Sequence, residues 1–361
     1  MHPDPIRLGF IGLRPDNQWA ATAHLPALAS LGSRFTIVGA ANTRLESSRR
    51  TAAALGLPRV FEDAAALVGD PDIDLVVVTV KVPHHLELVS AALNAGKHVF
   101  CEWPLGNGLD EARQLAQLAD AKGVVAVAGT QLRVSIEMEF VRDLVASGYV
   151  GRVLSSTLIG SGGQWSNEST GDYLYLSDKH NGATLLSIPL AHTLAGLRDV
   201  LGEVETLSAR FVTLYDTVRL TDTGEVHPKT SPDQVMLHGV MASGAALSVH
   251  YRGGTTQGTG LLWEINGTEG VIQITGSLGH AQLIPLEILG ARSGSTTLES
   301  LAPDASAYEG WPEDAAARNV ARLYARIADD IQKGTRTAPS FGEAVALHAL
   351  VDSIERSAAT I

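Results

Sequence analysis

The first third of the chain alternates short, almost wholly apolar runs with longer stretches in which apolar residues recur every three or four positions. The runs at 6–11, 36–41, 75–80, 98–102 and 124–128 read as strands buried on both faces, and the segments 20–30, 44–55, 64–68, 86–95 and 109–122 read as helices between them. Such alternation predicts βαβ units and a parallel sheet. Each helical stretch ends near a glycine, at Gly32, Gly56, Gly69, Gly96 or Gly123, where a left-handed cap suits a residue without a Cβ.

Beyond Arg133 the pattern changes. One amphipathic segment, 136–147, closes on Gly148, and period-two alternation then marks strands at 153–159, 205–215, 235–241, 246–251, 261–265 and 271–275. Glycine-rich turns join them, as in an antiparallel or mixed sheet with one covered face. Segments 315–332 and 341–359 read as helices again. The expected fold class is therefore α/β. An N-terminal Rossmann fold, a doubly wound parallel sheet, occupies 1–132, and a C-terminal α/β domain with a large open, mostly antiparallel sheet occupies 133–361. The last helix is a candidate to pack back on the first domain.

Composition narrows the function. The 361 residues are 45% hydrophobic and 18% charged, proportions of a globular protein long enough for two domains. With 27 Lys and Arg against 39 Asp and Glu, the net charge is −12, and Arg44, Arg49 and Arg50 form the one local basic cluster. Nucleic acid and anionic membranes are excluded as broad partners, while a single phosphate is not. Cys101 is the sole cysteine, so no intrachain disulfide and no multi-cysteine metal site can form, and a reducing, cytoplasmic setting is expected. The start of the chain has no signal-peptide pattern, and no apolar run reaches membrane-spanning length.

Candidate chemistry begins where the first strand enters Gly9-Phe10-Ile11-Gly12-Leu13-Arg14 and a helix opens near Trp19. A dinucleotide site needs this layout, because a pyrophosphate must meet bare backbone N–H groups at a helix N-terminus. The strict G-x-G-x-x-G fingerprint is absent: Gly12 serves as its first glycine, but Arg14 stands at the second. An ordinary strand-to-helix turn is the alternative. The second strand ends in Asn42-Thr43-Arg44, without the carboxylate that binds a ribose 2′-hydroxyl, so NADP is the expected cofactor and NAD the other possibility. Arg44 as the start of a solvated helix is the competing reading.

These residues, with Ala23-His24-Leu25-Pro26-Ala27-Leu28 and Ala95-Gly96-Lys97-His98-Val99-Phe100-Cys101-Glu102-Trp103-Pro104-Leu105, resemble the glucose-fructose oxidoreductase and inositol dehydrogenase family (Gfo/Idh/MocA). Within it, the chain is similar to the branch of the yeast galactose-regulon repressor, through Gln131-x-Arg133, Gly162-Gly163-x-Trp165, Tyr173-x-Tyr175, Pro228-Lys229-Thr230-x-Pro232-Asp233 and Gly267-Thr268-x-Gly270. The resemblance implies a Rossmann domain, then an α/β domain whose open sheet supports substrate binding and homo-oligomer contacts. Cofactor contacts are expected from Gly12, Leu13, Arg14, Trp19, Asn42, Thr43, Arg44, Val80, Val82, His85, Glu102, Trp103 and Gln131.

At the catalytic positions the chain departs from the family. Glu102-Trp103-Pro104 replaces Glu-Lys-Pro, and tryptophan supplies no ammonium. In the family's Asp-and-His pattern, Ser187 takes the Asp position and His192 remains. His192 is thus the candidate acid/base, against the alternative of a structural histidine. Lys81, after the third predicted strand, either replaces the lost ammonium or points to solvent. Trp165, Tyr173 and Tyr175 are candidates to wall a sugar-like substrate, or else pack a loop or an oligomer contact. His84, His85 and His180 lack a spaced set of partners, so no metal is expected, and Cys101 reads as a small core residue.

Two functions follow. The first is an NADP-dependent oxidoreductase acting on a carbohydrate or related polyol with an atypical site. The other is a catalytically silent, dinucleotide-sensing regulator that acts by protein contact.

Overall fold

A computed structural model of the chain describes residues 4–15, 19–254 and 257–359. Residues 1–3, part of the stretch to which the signal-peptide reading applies, and residues 16–18 of the first loop lie outside that set. The chain divides into two compact units, Met1–Gln131 with Gly310–His348, and Leu132–Glu309 with Ala349–Ile361.

The first unit holds a six-stranded parallel sheet: β1 (Ile6–Ile11), β2 (Phe35–Ala41), β3 (Arg59–Val60), β4 (Leu75–Val78), β5 (His98–Glu102) and β6 (Ala126–Gly129). The order is β3-β2-β1-β4-β5-β6, which reverses between β1 and β4 and so opens a crevice at their carboxyl ends. Strand β4 is apolar throughout and wholly buried, as a strand covered on both faces must be. The helices are α1 (Leu25–Ser30), α2 (Leu45–Leu55), α3 (Ala64–Val68), α4 (His85–Asn94) and α5 (Leu109–Lys122). Asp63 caps α3 by accepting from the Ala66 N–H at 2.8 Å, an interaction of about 1 kcal/mol.

The boundaries expected from the pattern hold to within a few residues, with three differences. The first helix opens as a wider π-turn, Ala20–His24. Gly69 ends α3 in right-handed conformation, φ −76, so the left-handed cap expected there does not form. Strand β3, two exposed residues long, carries no periodicity that could announce it.

In the second unit, α6 (Ile136–Ala146) starts at Ser135, whose hydroxyl accepts from the Met138 N–H at 3.1 Å. Next come β7 (Val153–Ser161), β8 (Glu168–Ser169), α7 (Ala191–Leu201), β9 (Val204–Val212), β10 (Thr217–Leu220), β11 (Val226–Pro228), β12 (Gln234–Met241), β13 (Ala246–Arg252), β14 (Leu261–Gly267), β15 (Gly270–Gly276), β16 (Glu287–Arg292) and β17 (Glu299–Ser300). Eight of these strands form one sheet, β17-β16-β15-β14-β7-β13-β12-β9, in which β7 and β13 are the parallel pair. Leu158, Tyr251, Trp263, Ile265, Ile272 and Ile288 bury one face, while Thr157, Ser248, Glu264 and Gln273 on the other are exposed or half-buried. Strands β8, β10 and β11 make a separate small sheet. These three, with β16 and β17, were not legible, being short, exposed or broken by Gly290.

The tail supplies α8 (Ala315–Lys333) and α9 (Phe341–Ala359). Helix α8 packs on α1 and buries Val320, Leu323, Tyr324 and Ile327 in the first unit.

His85, His192 and His348 are buried and His280 is half-buried. Desolvation holds all four below the ordinary 6.5, down to about 3 at His192 and about 4 at His280 and His348. Below pH 6.5 the unfolded chain, with ordinary histidines, therefore binds more protons than the folded one. Their contribution to stability is complete above that pH and is lost as pH falls, by about 1.4 kcal/mol per pH unit for each group. The urea midpoint of the full chain should be level from about pH 8 to 7 and drop with a slope of more than one proton between about pH 6 and 4.5. A midpoint that ignores pH until the carboxylates titrate would refute this.

Candidate functional site

The carboxyl edge of the parallel sheet is built around Gly12. Its φ of +100 is one that L side chains rarely adopt, and a Cβ there would lie 2.7 Å from Val80 Cγ1 and 3.2 Å from the Thr79 backbone. Only glycine lets the β1 and β4 ends approach so closely. The Gly12 N–H donates to the Ala41 carbonyl at 3.0 Å, tying in β2. The next carbonyl, Leu13 O, accepts from Asn42 Nδ2 at 2.9 Å and Thr51 Oγ1 at 3.1 Å. Asn42 thus anchors the loop. Thr43 and Arg44 stand exposed beside it, with Arg49 and Arg50 exposed on α2.

Arg14 is half-buried, and so is Trp19, whose Nε1 is buried without a hydrogen-bond partner among the described residues. The Trp19 ring stands edge-on to His24, 6.0 Å between centroids. After β4, Val80 is half-buried, Lys81 is exposed and Val82 is buried. His85, fully enclosed, sets Nδ1 2.8 Å from the Pro104 carbonyl and Nε2 3.0 Å from the Val80 carbonyl, linking the loops after β4 and β5.

Glu102 and Gln131 meet in a network not anticipated from the sequence. Glu102 Oε2 accepts from Gln131 Nε2 at 3.0 Å, and Oε1 lies 2.9 Å from His24 Nε2. His24 Nδ1 is 2.8 Å from the Tyr324 hydroxyl of α8. One tautomer satisfies every contact with an ionised Glu102: His24 donates from Nε2 to the carboxylate, and the Tyr324 O–H donates to Nδ1. His24 stacks on Phe100 at 5.3 Å, and Gln131 Oε1 is buried without a hydrogen-bond partner among the described residues. Both oxygens of Glu102 are therefore engaged in holding the ends of β5 and β6 and the first helix. Next to it, Trp103 is 5% exposed, its ring 4.4 Å from that of His348 on α9. An indole packed on an imidazole stands where the resemblance places an ammonium.

The second unit holds a cluster around His192. A π-turn, Leu186–Leu190, containing Pro189, leads into α7. Ser187 Oγ accepts from the Thr184 N–H and donates to the Gly182 carbonyl, both at 2.7 Å, so it organises that turn. The Tyr251 hydroxyl bonds Thr193 Oγ1 at 2.8 Å and the Gly279 carbonyl at 3.1 Å, thereby fixing the neighbours of His192 and His280 together. Its ring occupies the space beside Gly160, where a Cβ would come within 2.3 Å of it.

Trp165, at φ +63, is the one non-glycine residue with positive φ among those described, an outlier of the kind that surrounding structure must impose. It is 5% exposed, donates Nε1–H to the Ala183 carbonyl at 3.1 Å and stacks on His280 at 5.9 Å. Tyr173 is 47% exposed, whereas Tyr175 is half-buried with its hydroxyl pushed up to about 12.

His192 Nδ1, His280 Nδ1 and Ser161 Oγ are all buried without hydrogen-bond partners among the described residues. An unmet buried polar atom costs about 1–3 kcal/mol. His280 was not a sequence candidate, having no motif around it. Among the described residues no three His, Cys, Asp or Glu side chains group as a metal site requires, and no helix is long and apolar enough to cross a membrane.

Known proteins match both units. Residues 6–130 fit the oxidoreductase family with an NAD-binding Rossmann fold (GFO_IDH_MocA), and residues 137–276 fit the Gal80p C-terminal domain. The dehydrogenase aclE of Aspergillus oryzae is 30% identical over 98% of this chain and 96% of its own. The galactose/lactose metabolism regulatory protein GAL80 of Saccharomyces cerevisiae is 27% identical over 98% of this chain and 92% of its own. The crystal structure of a super-repressor mutant of that yeast protein aligns with a TM-score of 0.90 at 25% identity, covering 99% of this chain and 96% of that one. Levoglucosan dehydrogenase, in complex with NADH and levoglucosan, shares the fold with a TM-score of 0.85 at 21% identity, covering 99% and 98%. The chain therefore belongs to the Gfo/Idh/MocA oxidoreductase family, with an NAD-binding Rossmann fold followed by a Gal80p-like C-terminal domain.

Proposed function

We propose that this protein is an NADP(H)-dependent oxidoreductase acting on a carbohydrate or related polyol, with Trp103 in place of the family lysine. The observation that carries the reading is His192, buried, neutral and with Nδ1 lacking a protein partner. A dinucleotide is supported by Gly12 and by the orphaned Trp19 Nε1 and Gln131 Oε1 in the same unit. Bound there, the cofactor supplies the hydride donor or acceptor. The chain's own groups do the remainder: backbone near Gly12 receives the pyrophosphate, and the Glu102 network holds the ends of β5 and β6. His192 Nδ1 accepts the hydroxyl proton of the alcohol. Levoglucosan dehydrogenase shows a sugar and NADH held on this fold.

The phosphorylated cofactor follows from charge. Arg44 is exposed at the start of α2, no carboxylate ends β2, and a guanidinium pairs two phosphate oxygens at once. Self-association through the open face of the eight-stranded sheet and a cytoplasmic setting belong to the same reading.

A second reading, a dinucleotide-responsive regulator without chemistry, is favoured by two observations. An imidazole held down to about 3 is a weak base, and the Trp103 ring is engaged with His348 instead of being offered to substrate. The full-length likeness to GAL80 points the same way.

Calorimetry should find NADPH bound more tightly than NADH, and Arg44→Ala should shrink that preference by about tenfold, the worth of one exposed phosphate contact. Equal affinities in the native chain would remove the case for NADP. With a panel of neutral sugars and polyols, His192→Ala should lower turnover by about 10²–10⁴-fold while leaving cofactor affinity unchanged. If the native chain binds cofactor and turns over nothing while Trp103→Lys gains activity, the regulator reading stands and the enzyme reading falls.

A further inference from the structure

His280 belongs to no motif, yet the fold spends unusual effort on placing it. Its ring is stacked on Trp165, itself held at a positive φ and pinned by its Nε1–H to Ala183. The preceding carbonyl, Gly279 O, is gripped by the Tyr251 hydroxyl, which also grips Thr193 next to His192. The neighbours of two histidines from distant parts of the sequence are thereby fixed together, and His280 stands near enough to disfavour a proton on His192.

The hydrogen bonds also fix which nitrogen of His280 is bare. Nε2 lies 2.7 Å from the Gly162 carbonyl, and a carbonyl oxygen can only accept, so Nε2 carries the hydrogen. Nδ1 is then an unprotonated lone pair, buried without a partner. His192 Nδ1 and Ser161 Oγ, the latter adjacent to Gly162, are buried and unpartnered in the same way. Buried polar atoms are normally hydrogen-bonded, and where no described protein group reaches them an ordered water or a ligand takes that place.

We propose that His280 Nδ1, beside His192, is a specificity-determining acceptor for a second hydroxyl of a neutral polyhydroxy substrate. This rests on the reading of His192 as the partner of the reacting hydroxyl. A bare imidazole nitrogen accepts from an O–H and repels a carboxylate or phosphate, and burial keeps both rings uncharged at neutral pH, so neither ring offers a cation to an anion. The site selects neutral sugars or cyclitols over sugar phosphates and sugar acids. A second hydroxyl on a separate nitrogen also fixes which carbon of the substrate presents its hydrogen for transfer.

Two substitutions separate recognition from scaffolding. In His280→Asn the side-chain oxygen falls near the Nδ1 position, so the acceptor survives and the bond to Gly162 is lost. In His280→Gln the amide nitrogen falls near the Nε2 position, so the Gly162 bond survives and the acceptor is lost. Binding to the NADP-loaded full chain is measured by calorimetry with myo-inositol, glucose and levoglucosan, and with glucose 6-phosphate and glucuronate, with thermal melting as a folding control.

The expected result is that at least one neutral compound binds the native chain, neither anion does, His280→Asn stays within about threefold and His280→Gln weakens binding about tenfold. The reverse ranking, or no difference between the variants, assigns His280 a structural role or a trapped water and overturns the inference while the proposed function stands. Equal binding of the anions also overturns it. If NADP binds but none of the neutral compounds does, the substrate reading fails and the inference with it.

Discussion

The close approach of β1 to β4 at Gly12 is the constraint from which the dinucleotide site follows. Strand order reverses between these two strands, so their carboxyl ends diverge into loops, and the backbone must turn within van der Waals contact of Val80. Carbonyls near that turn are met from within: Leu13 O accepts from Asn42 and Thr51, and the Val80 and Pro104 carbonyls both face the His85 ring, whose single N–H in the neutral form donates to one of them. A rigid edge of this kind holds the site without a complete glycine fingerprint, and Arg14 is accommodated half-buried beside it.

The triplet after β5 carries a ring, Trp103, where the family resemblance places a cation. Trp103 packs on His348, the Glu102 carboxylate is shared by His24 and Gln131, and Arg14 and Lys81 stand half-buried and exposed on the neighbouring loops. In the proposed enzyme reading, catalysis relies on position and hydrogen bonding, since no ammonium stands at that triplet to steady a developing alkoxide. The same chemistry explains why a regulator and a dehydrogenase can share the fold at full length: the scaffold is common, and the function lies in a few side chains mounted on it.

The second unit shows how a sheet places chemistry that no local pattern announces. Tyr251 points inward from β13 because its period-two alternation faces the covered side. Its hydroxyl then has to find partners, and it finds them in Thr193 and Gly279 at once. Gly160 on the neighbouring strand leaves space for the ring. One buried tyrosine thus couples helix α7 to the loop after β15.

Much was legible from the chain alone because the signals are local. Buried parallel strands read as apolar runs, half-covered strands as alternation, and the Gly12 loop and the Asn42-Thr43-Arg44 edge as motifs. The family resemblance, not a local signal, made His192 a candidate, as the polar group left where Trp103 and Ser187 stand at the expected positions. Tertiary structure alone decided which polar groups meet. His24 reaches Glu102 and Tyr324 across 78 and 300 residues of sequence, and a hydrogen bond depends on distance and direction in space, for which spacing along the chain is no guide. His280 became a candidate only because its Nε2 faces a carbonyl and leaves Nδ1 bare, a property of three-dimensional packing that a single histidine letter does not carry.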